Sequence, residues 1–263
     1  MPVSEKVKSF RYERASELDQ FARVLKKLGN CDPYPLNVAA DQLRNLEFVP
    51  KVDKNDEVNY NYWGYATPDL VFYFEDVPPH TYPENPTNLT LSLSVKHIAD
   101  FTAFKLLQDP YIHLEVNVVV RGTYTKELKS IELITSYHLD RHIEKSGDNS
   151  PEYVHPIYHF QFGGRKLDKK FKDFGSFLIL DSPRIVHYPM DIVLSVDFVL
   201  SNFFPSQWKD LRKDGEYVNI LREYQELFWK PYAHSKALNW RPYDEGLVNW
   251  QPGSIWPQLI IGK

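Results

Sequence analysis

The chain of 263 residues contains a single cysteine, Cys31. This scarcity excludes an intrachain disulfide and any zinc site built from cysteines alone. Stable disulfides belong to oxidising compartments, so a chain with one cysteine fits a reducing compartment, and we expect a cytoplasmic protein. An aspartate follows Cys31 directly and disfavours its thiolate form, so we expect an ordinary thiol rather than a nucleophile.

The sequence also lacks long apolar segments. Its first residues, MPVSEKVKSF, have no apolar stretch of the kind found in signal peptides. No run reaches the ~18 apolar residues that a membrane span needs. We therefore expect a soluble protein without a membrane partner.

There is no excess of positive charge. The formal net charge is −4, which does not favour non-specific binding to nucleic acid. One local run, RKLDKKFK at residues 165–172, is basic, and a solvated loop is its simplest interpretation. Aromatic residues are frequent, at 15% of the chain, and such side chains are typical of cores and of protein interfaces.

The order of periodic segments predicts an α+β fold in a single domain over residues 1–263. We expect a helical N-terminal segment at 1–50, a central antiparallel sheet of about five to seven strands at 58–180, and a helical segment at 189–240. The C-terminal helices should pack on one sheet face. Residues 241–263 are rich in aromatic residues and proline, and they predict an extended arm.

Strict alternation in residues 112–121 predicts a strand whose polar face carries His113 and Glu115. A turn at 125–130 and a second strand at 131–138 could set His138 opposite His113. A third strand at 153–162 could set His155 opposite His138, and neighbours in such a row have Cβ atoms ~5 Å apart.

This pairing predicts a metal site. His113, His138 and His155 together could hold one divalent ion such as zinc and leave a position open for water. Candidate catalytic side chains on the same face are Glu115, Glu132 and His159. The alternative is that these histidines only line a solvated sheet face or an interface, and a sheet face carries such residues commonly.

Other patterns are weaker. The H-x₃-H pairs at 138–142 and 155–159 would hold their histidines ~13 Å apart on strands, too far to share one ion. A nuclease pattern formed by Asp69, Glu127 and Lys129 is disfavoured because Glu127 falls in the predicted turn. Asp197 lies within an apolar helix, and we expect it to be a structural anchor paired with a cation from Arg184, His187 or Lys209.

These observations favour a soluble intracellular binding or scaffold subunit, for example a bacterial accessory protein, that acts through protein–protein contacts or self-association and needs no cofactor. Its contact surfaces would be the polar sheet face and the aromatic arm, which follows Trp240 and contains Trp250 and Trp256. The alternative is a metal-dependent hydrolase or nuclease that uses the histidine cluster on the exposed sheet face. The sequence leaves open whether the protein is an enzyme.

Overall fold

The computed structural model describes residues 3–48, 51, 59–105, 108–141, 156–163, 167, 184–238 and 256–260. Helices come first, a sheet follows, and further helices come last. The predicted α+β class, with its central antiparallel sheet and C-terminal helices, is confirmed. Within these residues, no helix combines the length and the apolar character needed to cross a membrane.

Two helices form the N-terminal segment, α1 (Glu5–Lys26) and α2 (Tyr34–Arg44). Helix α1 begins where the Ser4 hydroxyl accepts a hydrogen bond from the Val7 amide. The buried Arg11 guanidinium donates to the carbonyl oxygens of residues 42, 43, 45 and 48 at the end of α2. Because these carbonyls have no intrahelical partner, Arg11 acts as a C-terminal cap that joins the two helices.

In the described part of the chain the sheet has seven antiparallel strands, in agreement with the predicted number. Strands β3 to β7 lie side by side in sequence order, and β1 and β2 both pair with β3 along its other edge. A short helix, α3 (Phe101–Lys105), connects β3 and β4. The strands are β1 Tyr62–Ala66, β2 Leu70–Tyr73, β3 Thr87–Asp100, β4 Tyr111–Lys126, β5 Lys129–Arg141, β6 Tyr158–Phe162 and β7 Ile185–Val186.

One face of this sheet packs against the helices and the other carries polar residues. On the core face of β4, Leu114, Val116 and Val118 are buried, as the alternation predicts. The core continues into helix α4 (Ile192–Phe203), which is apolar almost all round. The opposite face, here called the outer face, is only partly exposed, because Ser136 and His159 on it are buried.

The remaining helices are α5 (Pro205–Leu211), α6 (Gly215–Tyr224) and α7 (Lys230–Leu238). A π-helical turn, Gln225–Trp229, lies between α6 and α7. Asp197 of α4 is buried, and it accepts hydrogen bonds from Trp208 Nε1 (2.8 Å) and Tyr217 OH (2.9 Å). Uncharged donors therefore stabilise this carboxylate, where we expected a cation.

Part of the predicted C-terminal arm, residues 256–260, packs without regular structure on the helical segment. The Trp256 ring contacts Tyr188 (4.3 Å between ring centroids) and Trp229 (5.3 Å). Arg212 donates hydrogen bonds to the carbonyl oxygens of residues 258 and 259. Trp256 is thus engaged by its own chain, whereas Trp240 and Trp250 lie outside the described residues.

The register of the β4–β5 hairpin differs from the predicted one. Glu115 pairs with Asp140 and Val118 pairs with Tyr137, a displacement of four residues from the expected alignment. The hairpin closes in a two-residue turn at Glu127–Leu128, both with positive φ. Because the displacement is an even number of residues, every side chain stays on its predicted face while its cross-strand neighbours change.

Candidate metal centre

Three potential metal ligands meet on the outer face, where strand β5 ends and strand β6 begins: His138, Asp140 and His159. We call them the histidine–aspartate group. His138 and Asp140 are two residues apart on β5 and therefore share a face, and His159 of β6 lies directly opposite Asp140. The register of β5 and β6 thus assembles the group from only two neighbouring strands.

The ligand atoms of the group lie close together. His159 Nε2 is 2.8 Å from Asp140 Oδ1, and His138 Nε2 is 3.8 Å from Asp140 Oδ2. Ligands bound to one zinc ion at about 2.0–2.1 Å are separated by about 3 to 3.5 Å, and the two observed distances bracket this range. The side chain of His159 is 2% exposed, His138 19% and Asp140 39%, so solvent reaches one side of the group.

The contact made by the second ring nitrogen of His159, Nδ1, determines which ring nitrogen carries the proton in the neutral imidazole. His159 Nδ1 lies 3.2 Å from the carbonyl oxygen of Pro156, and since a carbonyl can only accept, Nδ1 carries a proton. In the neutral imidazole, Nε2 then presents a lone pair to the Asp140 carboxylate. That contact is favourable only when a proton or a cation lies between the two atoms. A backbone carbonyl that fixes the tautomer in this way is typical of histidines that bind metal ions.

Polar and charged side chains surround the group. Glu115 of β4 pairs with Asp140, and Lys96 of β3 pairs with Glu115, so a row of ionisable groups crosses four strands. Asn117 pairs with His138, and its Nδ2 donates to Glu115 Oε1 at 2.9 Å. Glu115 is exposed, and its pairing with Asp140 places its carboxylate next to the group.

A second set of contacts, on the opposite face of the same two strands, holds the group in place. Asp109 accepts hydrogen bonds from Tyr158 OH and from Arg141 Nε (3.1 Å for the latter). Arg141 and Tyr158 pair with each other across β5 and β6. They are also the sequence neighbours of Asp140 and His159, so Asp109 fixes the strand ends that carry these two ligands.

Of the residues predicted as metal ligands, the structure places His138 in the histidine–aspartate group, with Asn117 rather than His113 opposite it. His113 lies on the same face, next to Glu115, and pairs with Ile98. Burial, with a smaller contribution from the positive charge of Lys96, lowers the pKa of His113. His155 lies outside the described residues, so the convergence of the three predicted histidines stays a prediction.

The predicted catalytic candidates have separate positions. His159 is itself a member of the group, and Glu115 borders it. Glu132 pairs with Thr123 toward the far end of the hairpin, about 20 Å along β5 from His138 at ~3.3 Å per residue. The sequence prediction overlooked Asp140, although its H-x-D spacing with His138 places both side chains on one face of a strand.

Comparisons with protein-family models, with curated proteins and with solved structures found no match to this chain. The chemistry of the site is therefore inferred from its own geometry. Cys31 does not contribute to it, because burial, followed by the charge of Asp32, raises the pKa of its thiol to about 12. A thiol with that pKa is not a nucleophile near neutral pH.

Proposed function

We propose that this protein is a metal-dependent hydrolase that binds one divalent transition-metal ion, with zinc as the first candidate, through His138, Asp140 and His159. The observation that carries the proposal is the 2.8 Å contact between His159 Nε2 and Asp140 Oδ1, in a ring whose Nδ1 faces a carbonyl oxygen. A bridging metal ion would remove the conflict between a lone pair and a carboxylate.

The group has three ligands among the described residues, a number typical of a reactive ion rather than a purely structural one. Structural zinc sites usually have four protein ligands, whereas catalytic sites have three and keep a position for water. A zinc ion held by these residues would lower the pKa of its bound water to about 7 and so would supply hydroxide at neutral pH. Glu115, which pairs with Asp140, would orient that water or accept its proton.

The other function predicted from the sequence, a binding or scaffold subunit, stays a prediction, as does the cytoplasmic location. Its proposed contact surfaces are the outer sheet face and the C-terminal arm. A co-purifying protein identified by mass spectrometry, or self-association measured by analytical ultracentrifugation, would support this function. A monomer without a partner would count against it.

Metal binding is tested first on the full chain, purified without chelator. We expect about one equivalent of zinc, manganese or iron by elemental analysis, and a lower melting temperature after dialysis against a chelator. Cobalt(II) added to the stripped protein should give visible absorption, because its d–d bands report the ligand set. Asp140→Asn and His138→Gln should each weaken cobalt affinity at least tenfold, since loss of a ligand exceeds the 10- to 100-fold cost of losing an outer hydrogen bond.

Glu132→Gln is the matched control, because it changes a residue on the same strand and face about 20 Å from the group. It should leave cobalt affinity unchanged. Hydrolysis of nitrophenyl phosphate and nitrophenyl ester substrates is then measured for the metal-loaded protein and for the protein from which the metal ion has been removed. Protein that holds no metal, and whose melting temperature is the same in chelator, would show that Asp140 and His159 form a simple ion pair.

A further inference from the structure

The two sides of the histidine–aspartate group differ in their chemistry. Cross-strand pairing continues the row of ionisable groups beyond His159 to Val186 of β7, so Lys96 occupies one end of the row and Val186 the other. Residues that pair directly across neighbouring strands point to the same face, so every member of the row belongs to the outer face. The row therefore passes from a cation, through two carboxylates and a histidine, to an aliphatic side chain.

Solvent reaches this part of the outer face along the row. Lys96 and Glu115 are exposed. Toward the hairpin tip the same face is closed, because Ser136 and Gln161 are buried. In the other direction along β4, the side chain of His113 is partly buried. A molecule bound to the histidine–aspartate group would therefore extend across the strands rather than along them.

Lys96 supplies a positive charge at one end of the row. It forms no ion pair within the described part of the chain, although Glu115 lies opposite it. Burial, and next the charge of Lys96, lower the pKa of His113, so the ammonium group lies close to β4. Lys96 and Asp140 are two strands apart, about 10 Å between their backbones. A lysine side chain and a phosphate group bound to the metal ion together span that distance.

The charges around the group favour an anion once a metal ion is bound. A divalent ion brings two positive charges and Lys96 brings a third, whereas Asp140 and Glu115 remove two. On the opposite face, Asp109 and Arg141 form an ion pair and offset each other. One positive charge therefore remains, which attracts an anionic substrate and gives no advantage to a neutral one.

Val186 supplies an apolar surface at the other end of the row. It lies opposite His159, and its side chain is 54% exposed. Ile157, two residues before His159, is 57% exposed. Exposed aliphatic side chains favour contact with an apolar group, because that contact removes apolar surface from water.

The order of the row also assigns a direction to the substrate. In phosphoryl transfer the attacking and leaving oxygens lie roughly in line through phosphorus. A water oriented by Glu115 of β4 would approach from the side of that strand. The leaving alcohol would then point toward β6 and β7, where Val186 is exposed.

We propose that the histidine–aspartate group hydrolyses phosphate monoesters of apolar alcohols, an inference that rests on the proposed metal-dependent hydrolase. Lys96 would bind the non-bridging phosphate oxygens, and Val186 would contact the alcohol group. The oxygen of the bound water would attack phosphorus, and the bond between phosphorus and the alcohol oxygen would break with its electron pair on that oxygen. One proton of the water would reach the alcohol through Glu115, and the other would stay on the phosphate.

Binding is tested with phosphonates, which carry the charge of a phosphate but have no ester bond to cleave. Calorimetric titration of the cobalt-loaded full chain should show phenylphosphonate binding about tenfold tighter than methylphosphonate, because its ring is apolar. Lys96→Gln should weaken both about tenfold, because a charge-assisted hydrogen bond is lost. Val186→Ser should weaken phenylphosphonate alone, by about threefold.

Turnover provides a second measurement. Lys96→Gln should raise KM for nitrophenyl phosphate about tenfold more than KM for nitrophenyl acetate, because only the phosphate is an anion. Lys126→Gln is the matched control, since Lys126 is exposed at the hairpin tip, about 36 Å along β4 from Glu115. It should change neither KM. Both lysine variants should keep the cobalt affinity of the wild type.

The outcomes separate this inference from the proposed function. A full chain that takes up no cobalt would show that the metal-dependent hydrolase is wrong, and the substrate inference would fall with it. If cobalt binds but phosphonates do not, or if Lys96→Gln binds them as tightly as the wild type, only the substrate inference is wrong. Equal affinity of the wild type for the two phosphonates would overturn the assignment of an apolar alcohol.

Discussion

The replacement of Asp191 by asparagine should make the protein more stable at alkaline pH. Burial raises the pKa of this carboxyl from 3.8 to about 7, although hydrogen bonds from Leu194 and Tyr65 partly offset the effect. Asparagine keeps a side-chain oxygen for the Leu194 amide and is a good N-cap residue. The substitution therefore removes the charge while it preserves the start of α4.

The sign of the pH dependence follows from the two pKa values. Between about pH 4 and pH 7 the folded protein keeps the Asp191 proton and the unfolded chain loses it, so the free energy of unfolding falls as the pH rises. One pKa unit corresponds to about 1.4 kcal/mol, so the shifted pKa of this carboxyl lowers the free energy of unfolding by about 4 kcal/mol by pH 8. Asp191→Asn should be free of that loss.

Urea unfolding followed by tryptophan fluorescence at pH 5 and pH 8.5 measures the effect. We expect the difference in unfolding free energy between Asp191→Asn and wild type to shift in favour of the variant by about 3 kcal/mol from the lower to the higher pH, because the unfolded chain has already lost this proton at pH 5. Asp210→Asn, which changes an exposed carboxylate of α5, should show no comparable shift. A variant that is destabilised equally at both pH values would refute the reasoning.

Two further predictions concern the hairpin turn and the support of the metal site. Leu128 is fully exposed and has a φ of 65°, a conformation that costs a residue with a Cβ more than it costs glycine. Leu128→Gly should therefore raise the free energy of unfolding, measured in urea, by about 1 kcal/mol. A decrease would show that the turn is not strained. Asp109→Asn should weaken metal affinity about tenfold in a cobalt titration, because Tyr158 and Arg141 lose a charged hydrogen-bond acceptor. Unchanged affinity would show that the contacts of Asp109 do not position the ligands.

The facing of the strands could be predicted from the sequence, but their register could not be read from alternation alone. A period of two determines which side a residue faces and is unchanged by any even displacement. The actual register depends on the turn, and the residues there, Glu127 and Leu128, lack the Asn-Gly signature of a two-residue hairpin. The predicted turn at 125–130 is nevertheless centred on that pair, and its centre implies the observed pairing of Val118 with Tyr137.

Two residues were missed for reasons visible in the sequence. The sequence analysis assigned no position to His97, although it continues the alternation of Leu91, Leu93 and Val95 along β3 that places these side chains in the core. Asp140 was overlooked because the second strand was predicted to end at His138, whereas β5 continues to Arg141. The contact of Asp140 with His159, by contrast, depends on the pairing of β5 with β6, which a long connection leaves undetermined.

Helix α6, the π-helical turn and helix α7 follow one another without a break. The π-helical turn constrains the number of residues in this segment more than it constrains which residues occupy it. Such a turn holds one residue more than an α-helical turn, and each residue of an α-helix advances the chain by about 100° around the axis. Deletion of one residue at 225–229 would restore a regular helix and rotate α7 by that angle. Tyr232 would then leave Tyr158 and Tyr188, and the C-terminal half of the helix would present a different face to the sheet.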